Sequence, residues 1–121
     1  MRSATDAYRS VAKDIANPRE LEASLLLKAA ARLQAVCDAW ERDRSGLNEA
    51  LAYNRKLWTI FLSDVSSPDH PLPREVRQNV ANLGLFIMNQ TLAAMASPRR
   101  EALAPLININ RELAAGLRPK T

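Results

Sequence analysis

Leu47–Val65, LNEALAYNRKLWTIFLSDV, is the stretch whose reading decides the fold. Leu47, Leu51, Trp58, Phe61 and Val65 recur in alternating steps of four and three, with Asn54 standing where the series calls for an apolar residue. That spacing keeps one face of an α-helix apolar. Leu57, Ile60 and Leu62 widen the stripe until little of the surface is polar. A helix apolar around most of its circumference is enclosed by other helices. The stretch is therefore read as the central helix of a helical domain.

Working outward, Asn17-Pro18 punctuates the N-terminal third. Before it, Thr5 can cap a short helix whose buried face carries Tyr8, Val11, Ala12 and Ile15. A residue preceding proline is pushed out of the α region, so that helix stops there. The same dipeptide opens the next helix, with Asn17 as cap, Pro18 in the first turn and Glu20 completing a capping box. Its stripe is Leu26, Ala30, Leu33, Cys37 and Trp40, with Glu22, Lys28, Arg32, Asp38 and Glu41 mostly off it, and it runs to about Arg42. Ser45-Gly46 turns the chain into the central helix.

Downstream, SSPDHPLP (66–73) places three prolines in eight residues, which no helix interior accommodates. Pro73 begins another helix with Val76, Val80, Leu83, Ile87, Thr91 and Met95 on its inner face. Gly84 inside it costs about 1 kcal/mol relative to alanine, which signals the close approach of a neighbouring helix. After Ser97-Pro98, either residues 98–103 form a separate turn and the last helix starts at Pro105, or one longer helix kinks there. The separate turn fits better. Leu106, Ile109, Leu113 and Leu117 line the last helix, and Gly116 and Pro119 mark its end. No alternating strand pattern is present. The expectation is an all-α single domain over residues 1–121: an antiparallel bundle of four main helices plus a short N-terminal helix.

The chain's 121 residues, 47% hydrophobic and 25% charged, suffice for a core without disulfide or metal. The one cysteine, Cys37, cannot form an internal disulfide and reads as a small core residue in a reducing compartment. The start has the look of no secretory signal, and no run reaches the roughly 18 apolar residues of a membrane span, so the protein is expected to be cytoplasmic. The net charge of +4 lies mostly in the C-terminal half, too thin for a stripe that tracks a phosphate backbone.

Chemistry is sparse. The one histidine, His70, is read as an exposed turn residue. No spacing supports a metal site, a phosphate loop or a nucleophile–base pair. No catalytic residue, metal or cofactor is expected. Three polar or aromatic features remain. Asn54-Arg55 interrupts the central helix, and either Asn54 is buried to fix register, as a lone Asn does in coiled coils, or the pair faces a groove and holds a partner. Asn108 and Asn110 stand about 200° apart on a helix, so one can be a buried partner, for instance of Asn54, while the other is solvated. Tyr8-Arg9 is a surface anchor of the kind that dominates interfaces, whereas Trp58 is core before it is anchor.

At this point the chain resembles the flagellar biosynthesis regulator family FlaF. The matching pieces run in order: Ala7-Tyr8-Arg9-Ser10, Asn17-Pro18-Arg19-Glu20-Leu21-Glu22, Asn54-Arg55-Lys56-Leu57-Trp58, Leu72-Pro73, Pro105-Leu106-Ile107-Asn108-Ile109-Asn110-Arg111, and Gly116-Leu117. Tyr53 stands where the family pattern has His or Trp, and Asn108 where Asp is common. The resemblance implies a small cytoplasmic protein that acts with the partner FlbT in flagellin production and engages flagellin itself. It brings no catalytic residues. The expected mode is an amphipathic flagellin segment laid in an apolar groove. Leu57, Trp58, Phe61, Phe86 and Met88 would line it, Arg55 or Arg111 would stand at its rim, and Tyr8, Arg9, Asn54, Asn108 and Asn110 would be further contacts. Direct binding of flagellin messenger RNA through Arg99, Arg100, Arg111, Arg118 and Lys120 is the alternative function. The oligomeric state is expected to be monomer or homodimer.

Overall fold

Proline and glycine set the helix boundaries. The computed structural model describes residues 18–118, as four α-helices and one 3-10 turn. They are α1 (Pro18–Asp38), α2 (Leu47–Val65), α3 (Arg74–Ala96), a 3-10 turn (Arg100–Leu103) and α4 (Ala104–Leu117). No strand occurs among the described residues. The all-α expectation holds, and α2 has the bounds read from the sequence. The helix α1 ends at Asp38 rather than near Arg42, with residues 39–42 in turns. The separate turn before the last helix is present, and Pro105 is in that helix's first turn, where its missing N–H is not needed. The short N-terminal helix, its Thr5 cap, Tyr8-Arg9 and the Asn17 cap lie outside the described residues.

The most extensive helix–helix contact joins α1 and α4. Ala23, Ala29 and Ala30 on α1 and Ala114 on α4 are all buried, so little side-chain bulk separates the two backbones. The helix α2 packs against α1 on one side and α3 on the other, while α3 touches only α2, α4 and the 3-10 turn. At the contact between α2 and α3, a Cβ on Gly84 would fall 2.8 Å from Leu62 Cγ and closer still to Cδ2, so the glycine marks the helix approach that its position implies. Gln90 Nε2 on α3 donates to the carbonyl of Ala102 at 3.2 Å, tying α3 to the 3-10 turn.

The core is Leu26, Leu33, Leu51, Trp58, Ile87, Leu103 and Leu106, all fully buried, with the surrounding alanines and Phe61, Ile107 and Val80. Burying each large side chain contributes about 1.5–3 kcal/mol. Two inner faces differ from the sequence reading. On α3 the buried positions are Val80, Gly84, Ile87, Thr91 and Ala94, with Val76 exposed. On α4 they are Leu106, Ile107, Asn110 and Ala114, and Ile109, Leu113 and Leu117 are only half-buried. On α3 the small residues Gly84 and Ala94 share the inner face with Thr91, and on α4 the polar Asn110 at the centre displaces the stripe that the aliphatic side chains suggest.

Candidate interaction surface

Asn54 and Asn110 meet in the interior. Trp58 Nε1 donates to Asn110 Oδ1 at 2.8 Å, and Asn110 Nδ2 donates to Asn54 Oδ1 at 2.7 Å. An indole N–H can only donate, so the direction of the whole chain follows from Trp58. All three residues are fully buried. No Cα of α2 lies within 8 Å of a Cα of α4, so these three side chains span the space between the two helices. Among the described residues, Asn54 Nδ2 has no hydrogen-bond partner. Asn54 is thus the buried register residue, and of the two C-terminal asparagines Asn110 is buried and Asn108 solvated.

This burial removes Asn54, Leu57, Trp58, Phe61 and Asn110 from any open surface, since none is more than 6% exposed. Phe61 packs edge-on against Trp58, with ring centroids 5.9 Å apart. The expected groove lined by α2 is closed because α3 and α1 fill it. Of the expected contacts, Arg55, Phe86, Asn108 and Arg111 are exposed and Met88 is half-buried. They do not form one patch. Asn108 and Arg111 lie on α4, where an open groove of about 260 Å³ runs past Gln34, Cys37, Arg100 and Ile107. Arg111 donates to Gln34 Oε1 at 3.4 Å, and Arg100 Nε donates to the Cys37 carbonyl at 3.1 Å. Burial pushes the Cys37 thiol above its ordinary value, with the Arg100 cation acting in the opposite sense, so the sulfur stays protonated and a poor nucleophile.

The outer side of α3 is the exposed apolar face. Leu85 is 62% exposed, Leu92 53% and Phe86 47%. At 100° per residue, Leu85, Asn89, Leu92 and Ala96 lie along one line, flanked by Phe86 and Ala93 on one side and Met88 and Met95 on the other. From Gln78 to Pro98 the chain carries no charged side chain. The only polar groups on the outer line and its edges are amides, Asn82 and Asn89 among them. Scattered exposed apolar residues are ordinary, but a contiguous face of them marks an interaction site.

A second cluster lies at the other end of α2. Ligand-type atoms of Glu22, Asp64 and His70 stand within 4.8 Å of one another. His70 Nδ1 accepts the Leu72 N–H at 3.2 Å, and Nε2 faces Asp64 Oδ2 at 3.1 Å. The ring is therefore the Nε2–H tautomer. Arg19 Nε sits 2.8 Å from Glu22 Oε1. These charged contacts join α1, α2 and the turn at 66–73 as a latch, in which the buried Arg19 Nη1 and His70 Nε2 make no well-directed hydrogen bond among the described residues. Arg77 completes it by donating to the carbonyls of Val65, Ser67 and Leu72 at 3.4, 3.1 and 3.2 Å. The expectation of an exposed His70 is corrected here: its side chain is 2% exposed. Glu22, expected off the stripe, is buried as well. Burial lowers the His70 pKa below its ordinary value, aided by the Arg19 and Arg77 cations and opposed by Asp64.

The family model for flagellar protein FlaF matches residues 4–117. The chain belongs to the FlaF family. Neither the curated proteins nor the solved structures searched give a match. The family's Asn54-Arg55-Lys56-Leu57-Trp58 and Asn108-Ile109-Asn110-Arg111 segments are thus the two halves of one buried junction, with only Arg55, Lys56, Asn108 and Arg111 of their polar side chains turned outward. No helix among the described residues is long and apolar enough to cross a membrane. On the outer line of α3 the sequence reading marks Leu85, with Phe86 and Met88, as apolar surface beyond the inner stripe, and passes over Asn89 and Leu92. The line's signal in the sequence is the charge-free run from Gln78 to Pro98, whose aliphatic residues exceed what one inner stripe uses.

Proposed function

We propose that this flagellar protein is a cytoplasmic adaptor that holds an amphipathic helix of flagellin against the outer face of α3 and, with FlbT, couples flagellin synthesis to export. The observation that carries the reading is the charge-free apolar face of Leu85, Phe86 and Leu92, held on a helix whose opposite side is anchored by Gly84, Ile87 and Thr91. A helix laid along it would cover side chains that the monomer leaves in water. Burial of one such side chain is worth about 2 kcal/mol, or roughly 30-fold in Kd.

Purified protein should capture flagellin, and Phe86→Asp or Leu85→Asp should weaken capture at least tenfold while the far-UV circular dichroism and urea midpoint stay unchanged. Undiminished capture by both folded variants would remove α3 as the surface. No capture of flagellin by the unaltered protein would remove the adaptor reading. The messenger-RNA reading has less support. Arg99 and Arg100 precede α4, Arg111 lies midway and Arg118 follows it, spread over about 21 Å of helix, and Arg118 is 3.6 Å from Glu20. If RNA were the ligand, affinity for a flagellin leader would fall steeply with salt.

A further inference from the structure

We infer that the outer face of α3 pairs with the same face of a second copy of this chain, antiparallel, about a dyad beside Asn89. The inference starts from what a symmetric interface demands. In a two-fold pair each patch meets itself, and a residue on the dyad meets its own copy. A charge there would confront a like charge. An amide both donates and accepts, so it can pair with itself. The face of α3 fits these demands: no charged side chain occurs from Gln78 to Pro98, and the polar residue at its midpoint is Asn89.

The apolar positions are spaced to match. Leu85 and Phe86 lie one turn before Asn89, and Leu92 lies one turn after it. Antiparallel pairing about Asn89 therefore seats Leu92 of each copy on Leu85 and Phe86 of the other. Asn82 comes opposite Ala96, and from Gln78 to the end of the helix at Ala96 there is no charged side chain, so no like charges meet. Met88 and Met95, half-buried along one edge, supply flexible side chains that fill the seam. A parallel pair would instead set Leu85 on Leu85 and Leu92 on Leu92 and leave Phe86 splayed. One helix per copy is a small interface of the kind that dissociates reversibly.

The pairing stands independently of the adaptor reading. One consequence does rest on that reading: the second copy and the flagellin helix compete for one face, so the free protein is a dimer and the loaded protein a one-to-one complex.

Sedimentation equilibrium on the full chain should give twice the 13.4 kDa protomer mass at tens of micromolar. Leu85→Glu and Leu92→Glu should each raise the dissociation constant at least 30-fold with the circular dichroism unchanged. Cysteines report the register in a Cys37→Ala background. Asn89→Cys should oxidise to a disulfide-linked dimer. Asn82→Cys alone should not, because antiparallel copies place the two thiols about 21 Å apart along the axis, but it should cross-link to Ala96→Cys in a mixture. A protein that remains monomeric to several hundred micromolar would overturn the pairing, as would a dimer indifferent to both glutamates or Asn82→Cys linking to itself as readily as Asn89→Cys. Flagellin that binds without dissociating the dimer would overturn the competition alone. A monomer that captures flagellin would overturn the pairing and leave the adaptor reading intact.

Discussion

Asn110 serves two neighbours at once, accepting from Trp58 and donating to Asn54. Asn110→Ala would strand the indole N–H and the Asn54 carbonyl oxygen where water does not reach. Each stranded group costs about 1–3 kcal/mol, so the variant should lose about 2–5 kcal/mol of stability in urea titration. Asn54→Ala combined with it should cost less than the two single changes added together, because they share a bond. At His70 the sign follows from the tautomer. Protonation puts a hydrogen on Nδ1, where the Leu72 N–H already points. The folded-state pKa is lowered, so the unfolded chain binds the proton first, near its ordinary value of about 6.5. Stability should be full above that pH and decline as the pH falls below it. His70→Asn should flatten this slope between pH 7.5 and 5. An unchanged slope would place its origin in other groups.

Gly84 shows how one element constrains another. Alanine in a helix interior is favoured over glycine by about 1 kcal/mol, but here its Cβ would overlap Leu62 Cγ and Cδ2. Gly84→Ala should be destabilising, and pairing it with Leu62→Ala should recover much of the loss. Urea midpoints of the four proteins in that cycle decide it. Helix boundaries were legible because they depend on neighbours in sequence: Pro18, Gly46, Pro73, Pro98 and Pro105 each act within a turn of themselves. The Asn54–Asn110 link could be anticipated because two polar residues interrupted two apolar stripes. The latch could not. Glu22, Asp64 and His70 lie on three segments and look like surface charges until packing brings them together. The α4 face was drawn through Ile109 and Leu113, since Asn110 hides the true centre.

At the scale of the molecule, α1, α2 and α4 form the polar-pinned centre, and α3 is an outer layer supported mainly by α2. Substitutions should separate accordingly. Leu33→Ala or Leu106→Ala, both fully buried, should cost about 2–5 kcal/mol. Leu85→Glu and Leu92→Glu should change monomer stability by no more than about 0.5 kcal/mol and act on association alone. Guanidinium denaturation below and above the dimer's dissociation constant would separate the two effects.

Trp58 is sealed inside the junction, and Trp40 is nearly covered, with the Arg44 guanidinium 4.8 Å over its ring. Neither indole lies on the outer line of α3. The protein's own ultraviolet emission should therefore shift when the junction opens and stay silent when a helix settles on α3. A dye placed at Asn82 would see the second event, so two colours of light could follow unfolding and docking separately in one cuvette.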